Sequence, residues 1–264
     1  MFRRLAIIAS LVLILIVAIV YWKSSSHGHS EHDNIIGAVR FGSVEDVRFF
    51  IDQGVDVNMI DNNDDLKRMP LHLAASDNSN VDVVKYLISE GANVNAKDDS
   101  GMTPLHWAIV GNTNIDVIKC LIEQGADIHA KSNSGGTPLH SVSGNNKSHG
   151  EILKYLIEKG GDVNAKDNLD RTPLHMASYG FSNIDGLQFL MEQKVDVNAK
   201  DRFGGTPLHY VALHNPNIEV LKFFIEHGIN INEKNNDGKT PFDIANTEEK
   251  KSVLSEAGGK SGNE

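Results

Sequence analysis

TPLHWAI, Thr103–Ile109, decides the fold, because it is one version of a phrase that returns along the chain. Two later copies carry glycines in front, GGTPLH at Gly135–His140 and at Gly204–His209. Read alone, such a phrase offers a glycine loop for phosphate with a histidine behind it. A phosphate loop, however, sits between a buried strand and a longer helix, with a lysine and a hydroxyl at fixed spacing. No apolar strand precedes either copy. The spacing decides against chemistry: Pro70, Pro104, Pro138, Pro173, Pro207 and Pro241 stand 34, 34, 35, 34 and 34 residues apart.

Each residue in the phrase has a structural task. Thr103, Thr137, Thr172 and Thr206 precede a proline, where a hydroxyl caps a helix start. The proline sits at the first helical position, where its missing N–H loses nothing. A leucine and a small residue, as in Leu105 and Ala108, mark the inward side of a short helix. A second helix begins at an Asn cap followed by an acid, as at Asn80-Val81-Asp82, Asn114-Ile115-Asp116, Asn183-Ile184-Asp185 and Asn217-Ile218-Glu219. The acid lies in the first turn, where the helix dipole favours it. Val83, Val84, Leu87 and Ile88 share one face of that helix. Gly91, Gly125, Gly160 and Gly228 then end it, and a turn such as NAKDDSG follows.

The unit is therefore helix, turn, helix, hairpin loop, and no unit of this size buries its own apolar face. Stacking about seven of them does. The recurrence of TPLH with a GADVNAKD-like turn resembles the ankyrin-repeat family over about residues 34–254. That resemblance implies an all-α solenoid of L-shaped units with an extended concave face that binds other proteins. The units are expected at about 34–67, 68–101, 102–135, 136–170, 171–204, 205–238 and 239–254, followed by a disordered tail at 255–264. They exceed the family's common length by one residue between the helices. The first lacks TPLH and should cap the array. Asn58–Pro70 carries three extra residues in its hairpin, Asp243 replaces the last histidine, and Lys194 and Asp170 replace glycines, which implies local strain.

The N-terminus is a separate element. Residues 5–22 are apolar apart from Ser10 and, at about 1.5 Å per residue, would reach roughly 27 Å, near the thickness of a bilayer's hydrocarbon. Tyr21 and Trp22 fall where an interfacial aromatic belt belongs. The reading is a single transmembrane helix. Arg3 and Arg4 keep residues 1–4 in the cytoplasm and send the body across, into the periplasm of a bacterium. A signal peptide cleaved at Ser24-Ser25-Ser26 is the alternative and would release a secreted binder. Residues 23–33 form a polar linker in which His27, His29 and His32 could offer nitrogen to Zn or Cu. That makes a metal-handling protein a third reading.

A net charge of −10 carries no basic face for nucleic acid, so none is expected as a partner. The single cysteine, Cys120, excludes an internal disulfide and sits on a helical pattern. Asn146-Lys147-Ser148 fits a glycosylation sequon. His72, His106, His140, His175 and His209 form a ladder one unit apart, with no nucleophile or carboxylate specific to one of them. The imidazoles and their threonines therefore read as bridges between neighbouring loops, as the resemblance also implies. No enzyme, cofactor, metal or small-molecule substrate is expected. The candidate contacts for a protein partner are Leu169 and Phe203 at hairpin tips, with Arg171 and Arg202 beside them. On first helices they are Trp107, Val110, Tyr179, Tyr210, Leu213 and His214.

Overall fold

The computed structural model describes residues 34–112, 114–144, 150–180 and 184–263. Within them the helices pair into seven successive units, and no strand is present. In chain order they are α1 (Ile35–Phe41), α2 (Val44–Asp52), α3 (Pro70–Asp77), α4 (Val81–Ser89), α5 (Pro104–Gly111), α6 (Ile115–Glu123) and α7 (Pro138–Ser143). Then come α8 (Gly150–Glu158), α9 (Pro173–Gly180), α10 (Ile184–Met191), α11 (Pro207–His214), α12 (Ile218–Glu226), α13 (Pro241–Ile244) and α14 (Glu248–Glu256). Each first helix packs on the first helix of the next unit, and second helices do the same at α2–α4, α4–α6, α8–α10, α10–α12 and α12–α14.

The leucine of each phrase is the centre of its layer: Leu71, Leu105, Leu139, Leu174 and Leu208 are all fully buried. Val83, Val84 and Leu87 of α4 meet them from the second helix, with Val117, Ile118 and Leu121 of α6 in the same places. Burying one such side chain contributes roughly 1.5–3 kcal/mol, so repetition along the stack, rather than any large aromatic centre, stabilises the body. Asn80, Asn114 and Asn217 cap second helices by accepting from the N–H of Asp82, Asp116 and Glu219.

Neighbouring hairpins join through their backbones. Asn133 N–H donates to Ser100 O, Asn168 to Ser134 O, Arg202 to Leu169 O and Asn236 to Phe203 O. Gly101, Gly135 and Gly204 adopt positive φ, and a Cβ there would collide with Asn133, Asn168 and Asn236 respectively. Lys194 and Asp170, at φ 58° and 59°, hold the same left-handed conformation without glycine's freedom.

The tail corrects one expectation. Residues 257–263 do not trail away: Ser261 Oγ and Gly262 N–H donate to Asp243, both at 2.7 Å, and Thr240 Oγ1 donates to Lys260 O. Lys260 N–H donates to Asn232 Oδ1, as Asn230 does to Asn198 one unit earlier. The tail thus supplies the hairpin row with one more rung. In the same unit Lys250, 3% exposed, donates Nζ to Val211 O, Ala212 O and Asn246 Oδ1. It closes the end of α11, as Asn112 closes α3 by donating to Ala75 O.

Residues 5–22, the linker 23–33 with its histidines, Asn146–Ser148 and Asn183 lie outside the described residues. Among the described residues no helix is long and apolar enough to cross a membrane, and no group of three or more His, Cys, Asp or Glu could hold a metal ion.

Candidate protein-binding surface

The histidine ladder is fully occupied by structure. Thr103 N–H donates to His106 Nδ1 at 3.2 Å, and Thr103 Oγ1 lies 2.9 Å from the same nitrogen. Nε2 faces Gly136 O in the next unit at 3.3 Å. A carbonyl only accepts, so Nε2 carries the proton and Nδ1 receives. His140 with Thr137 reaches Arg171 O, His175 with Thr172 reaches Gly205 O, and His209 with Thr206 reaches Lys239 O in the same way. Burial disfavours the imidazolium at all of them and brings His106 down to about 4. Both ring nitrogens of these side chains are thus engaged by the framework.

Hairpin carboxylates organise the surface above. Asp98 Oδ1 accepts from Ser100 and Met102 N–H, both at 2.9 Å, and its Oδ2 takes the Trp107 indole N–H at 2.8 Å. Asp201 repeats the arrangement with Phe203 and Gly205 N–H and the Tyr210 hydroxyl at 2.7 Å. In the fifth unit Met176 stands in place of the aromatic donor, and Arg171 supplies the bond, with its Nε 2.8 Å from Asp167. Arg68 serves Asp64 in the first hairpin, and its guanidinium lies 4.6 Å over the Trp107 ring. The Arg68 side chain holds the Asp64 carboxyl down to about 2.

These bonds sort the candidate contacts. Trp107, Tyr210 and Arg171 are half-buried with their polar ends committed, and Leu169 is half-buried between hairpins. Phe203 is 60% exposed and Tyr179 is 54% exposed. Val110, Leu213, His214 and Arg202 are exposed as well. Tyr179 and His214 come from adjacent units and stand 4.7 Å apart, with Tyr210 6.1 Å from His214. Burial, then the Lys250 charge, favours neutral His214. The result is an aromatic cluster of Tyr179, His214 and Tyr210 spanning α9 and α11.

Sequence reasoning missed exposed Phe41, Phe49 and Ile60, all in the first unit. A signal was present: second helices repeat a basic-aromatic pair, as in Arg48-Phe49, Lys85-Tyr86, Lys154-Tyr155 and Lys222-Phe223. Its meaning needs the stack, where Arg48 lies 5.3 Å from the Tyr86 ring, Lys119 5.9 Å from Tyr155 and Lys154 5.2 Å from Phe189. Each cation covers the ring of the following unit.

A solenoid whose histidines and hairpin acids are spent on its own framework, and which leaves Tyr179, Phe203 and Leu213 exposed, is a repeat protein with apolar surface open to contact. The chain belongs to the ankyrin-repeat family. A family model described as "Ankyrin repeats (3 copies)" matches residues 35–132 and 110–201, and one described as "Ankyrin repeats (many copies)" matches 190–245. The crystal structure of the human ASB11 ankyrin repeat domain is similar, with a TM-score of 0.73 and 25% identity, covering 87% of this chain and 99% of that one. No curated protein matches the chain. Ankyrin repeats indicate a protein–protein interaction module, a fold that is typically a non-enzymatic scaffold.

Proposed function

We propose that the chain is a membrane-tethered scaffold or inhibitor that holds a protein partner against the hairpins and first helices of its third to sixth units. The observation that carries this is the exposure of Tyr179, Leu213 and Phe203, with His214 4.7 Å from Tyr179, apolar or aromatic where a solvated side chain would serve the fold equally well. Aromatic side chains supply much of the energy of protein interfaces. Arg202 and Val110 are further exposed candidates, and Leu169, Arg171, Trp107 and Tyr210 are half-buried ones. A pull-down with the wild-type chain and with a Leu169→Asp/Phe203→Asp variant tests the surface. Loss of the partner with the variant supports the surface, and equal recovery overturns it.

The tether is read from residues 5–22, with the body on the far side of the membrane, periplasmic in a bacterium. Sequencing of the mature N-terminus separates this from a secreted binder: a start near His27 means that the segment is cleaved. Zn or Cu uptake by residues 23–33 would instead favour metal handling.

A further inference from the structure

The two ends of the stack differ. At the C-terminal end α14 has the polar sequence EEKKSVLSE, and the tail folds back over the last hairpin. At the other end the cation–ring ladder is left open. Tyr86, Tyr155 and Phe189 are half-buried under the basic side chain of the unit before, and Phe223 is only 8% exposed. Phe49 is the same rung in the first unit, and it is 51% exposed. Its ring meets Phe50 edge-on at 5.2 Å, and among the described residues no cation stands over it. Phe41 and Ile60 add exposed apolar surface to the same unit.

We propose that this open end docks on the head-group layer of the bilayer that holds the chain's own N-terminal segment, a head-group ammonium or choline taking the place of the missing lysine over Phe49. The proposal rests on the reading of residues 5–22 as an anchor. Its geometry follows from where the tether ends: residues 23–33 run into Asn34, the cap of α1, in the unit that carries Phe49. Eleven residues reach at most about 36–40 Å. The end face is therefore held close to the head groups, where even a weak contact is populated. Aromatic rings bind quaternary ammonium groups well, and phenylalanine is at home at the acyl boundary. Charge selects the lipid: residues 34–67 hold seven acidic side chains against Arg40, Arg48 and Lys67, so an anionic surface is repelled and a zwitterionic one is not.

The test uses the full chain in nanodiscs of phosphatidylcholine carrying a nitroxide on the head group, with Phe49→Trp as reporter. The emission added by that tryptophan over the parent chain is expected to fall at least about twofold. A Ser252→Trp reporter on α14 is expected to stay unquenched, and exchange of the lipid for phosphatidylglycerol is expected to relieve quenching at position 49. An embedded chain whose reporter at position 49 is unquenched overturns the docking and leaves the anchor standing. Failure of the chain to enter the discs overturns both. Pairing of two copies that shields the position-49 reporter, and that Phe49→Asp separates, assigns the face to a second copy and also overturns the proposal.

Discussion

The indole N–H of Trp107 donates to the carboxylate of Asp98 at 2.8 Å, nine residues back along the chain, and Tyr210 makes the same bond to Asp201 at 2.7 Å. Where the first helix carries no such donor, Arg171 or Arg68 provides one from within the hairpin. Each of these acids thus has its second oxygen satisfied, by two alternative chemistries at one place in the repeat. The aromatic ring is fixed by a bond that has nothing to do with a partner.

Tyr210→Phe is therefore expected to destabilise the body by about 1.5–3 kcal/mol, the usual range for a hydrogen bond to a charged group, read as a lower urea midpoint. Phe203→Asp should leave that midpoint within about 0.5 kcal/mol, because the ring is mostly in water. A Tyr210→Phe chain of unchanged stability and lost partner would reverse these roles.

A second prediction concerns the two non-glycine residues at positive φ in the middle of the stack. Gly101, Gly135 and Gly204 each face an asparagine of the next hairpin, but Asp170 faces Arg202, and Lys67 at φ 55° faces Asp99. Where glycine is lost, the asparagine is lost with it and an opposite charge stands instead. Lys194→Gly should stabilise by about 1 kcal/mol through relief of left-handed strain. Asp170→Gly alone should gain less than the double change Asp170→Gly/Arg202→Asn, which restores the packing seen elsewhere. Additive single effects in a thermodynamic cycle would remove the coupling.

The buried imidazoles predict acid sensitivity. Burial holds His72, His106, His140, His175 and His209 below the usual histidine value of 6.5, with His106 near 4. Between those limits the unfolded chain binds more protons, so stability is full above pH 6.5 and falls as the pH drops toward 4. Each histidine contributes at most about 1.4 kcal/mol per pH unit. Asp243 takes histidine's place in the last unit. Burial works to raise its carboxyl, but hydrogen bonds from Thr240, Gly262 and Ser261 outweigh that and hold it at about 2. Its share is lost only between about pH 3.8 and 2. Urea midpoints at about pH 7.5 and about pH 5 should differ clearly, and equal midpoints would contradict the ladder's neutral state.

Lys250→Met tests the sealed end. Burial lowers the Lys250 ammonium's proton affinity, and three oxygens hold it in place. Removing it leaves Val211 O and Ala212 O without that donor, at a cost of about 1–3 kcal/mol. Amide exchange in α13 and α14 should quicken, while α3 and α4 stay protected, because a solenoid transmits damage only to its neighbours.

Much of this was legible in the residues. Prolines at constant spacing, Asn caps and TPLH gave the units and their helices, since these signals act within a few residues of one another. The partner surface was less legible, because an aromatic at a first-helix position reads the same whether its polar end is free or bonded to a hairpin acid nine residues away. Trp107 and Tyr210 belonged to the second case, whereas Tyr179 is 54% exposed. The tail was misread for a related reason: GGKSGN has the composition of a disordered end, and what orders it is Asp243 and Asn232 from elsewhere.

The sequence by itself determined the period, the helix ends, the buried leucines and the family, because capping, backbone conformation and apolar periodicity are local. Tertiary structure alone decided which side chains remain free. The histidines lost their chemistry to carbonyls of the next unit, the hairpin acids to Trp107, Tyr210 and Arg171, and the lysines to rings one layer on. Only Phe49, with no layer before it among the described residues, kept the exposure that its neighbours in the repeat had lost.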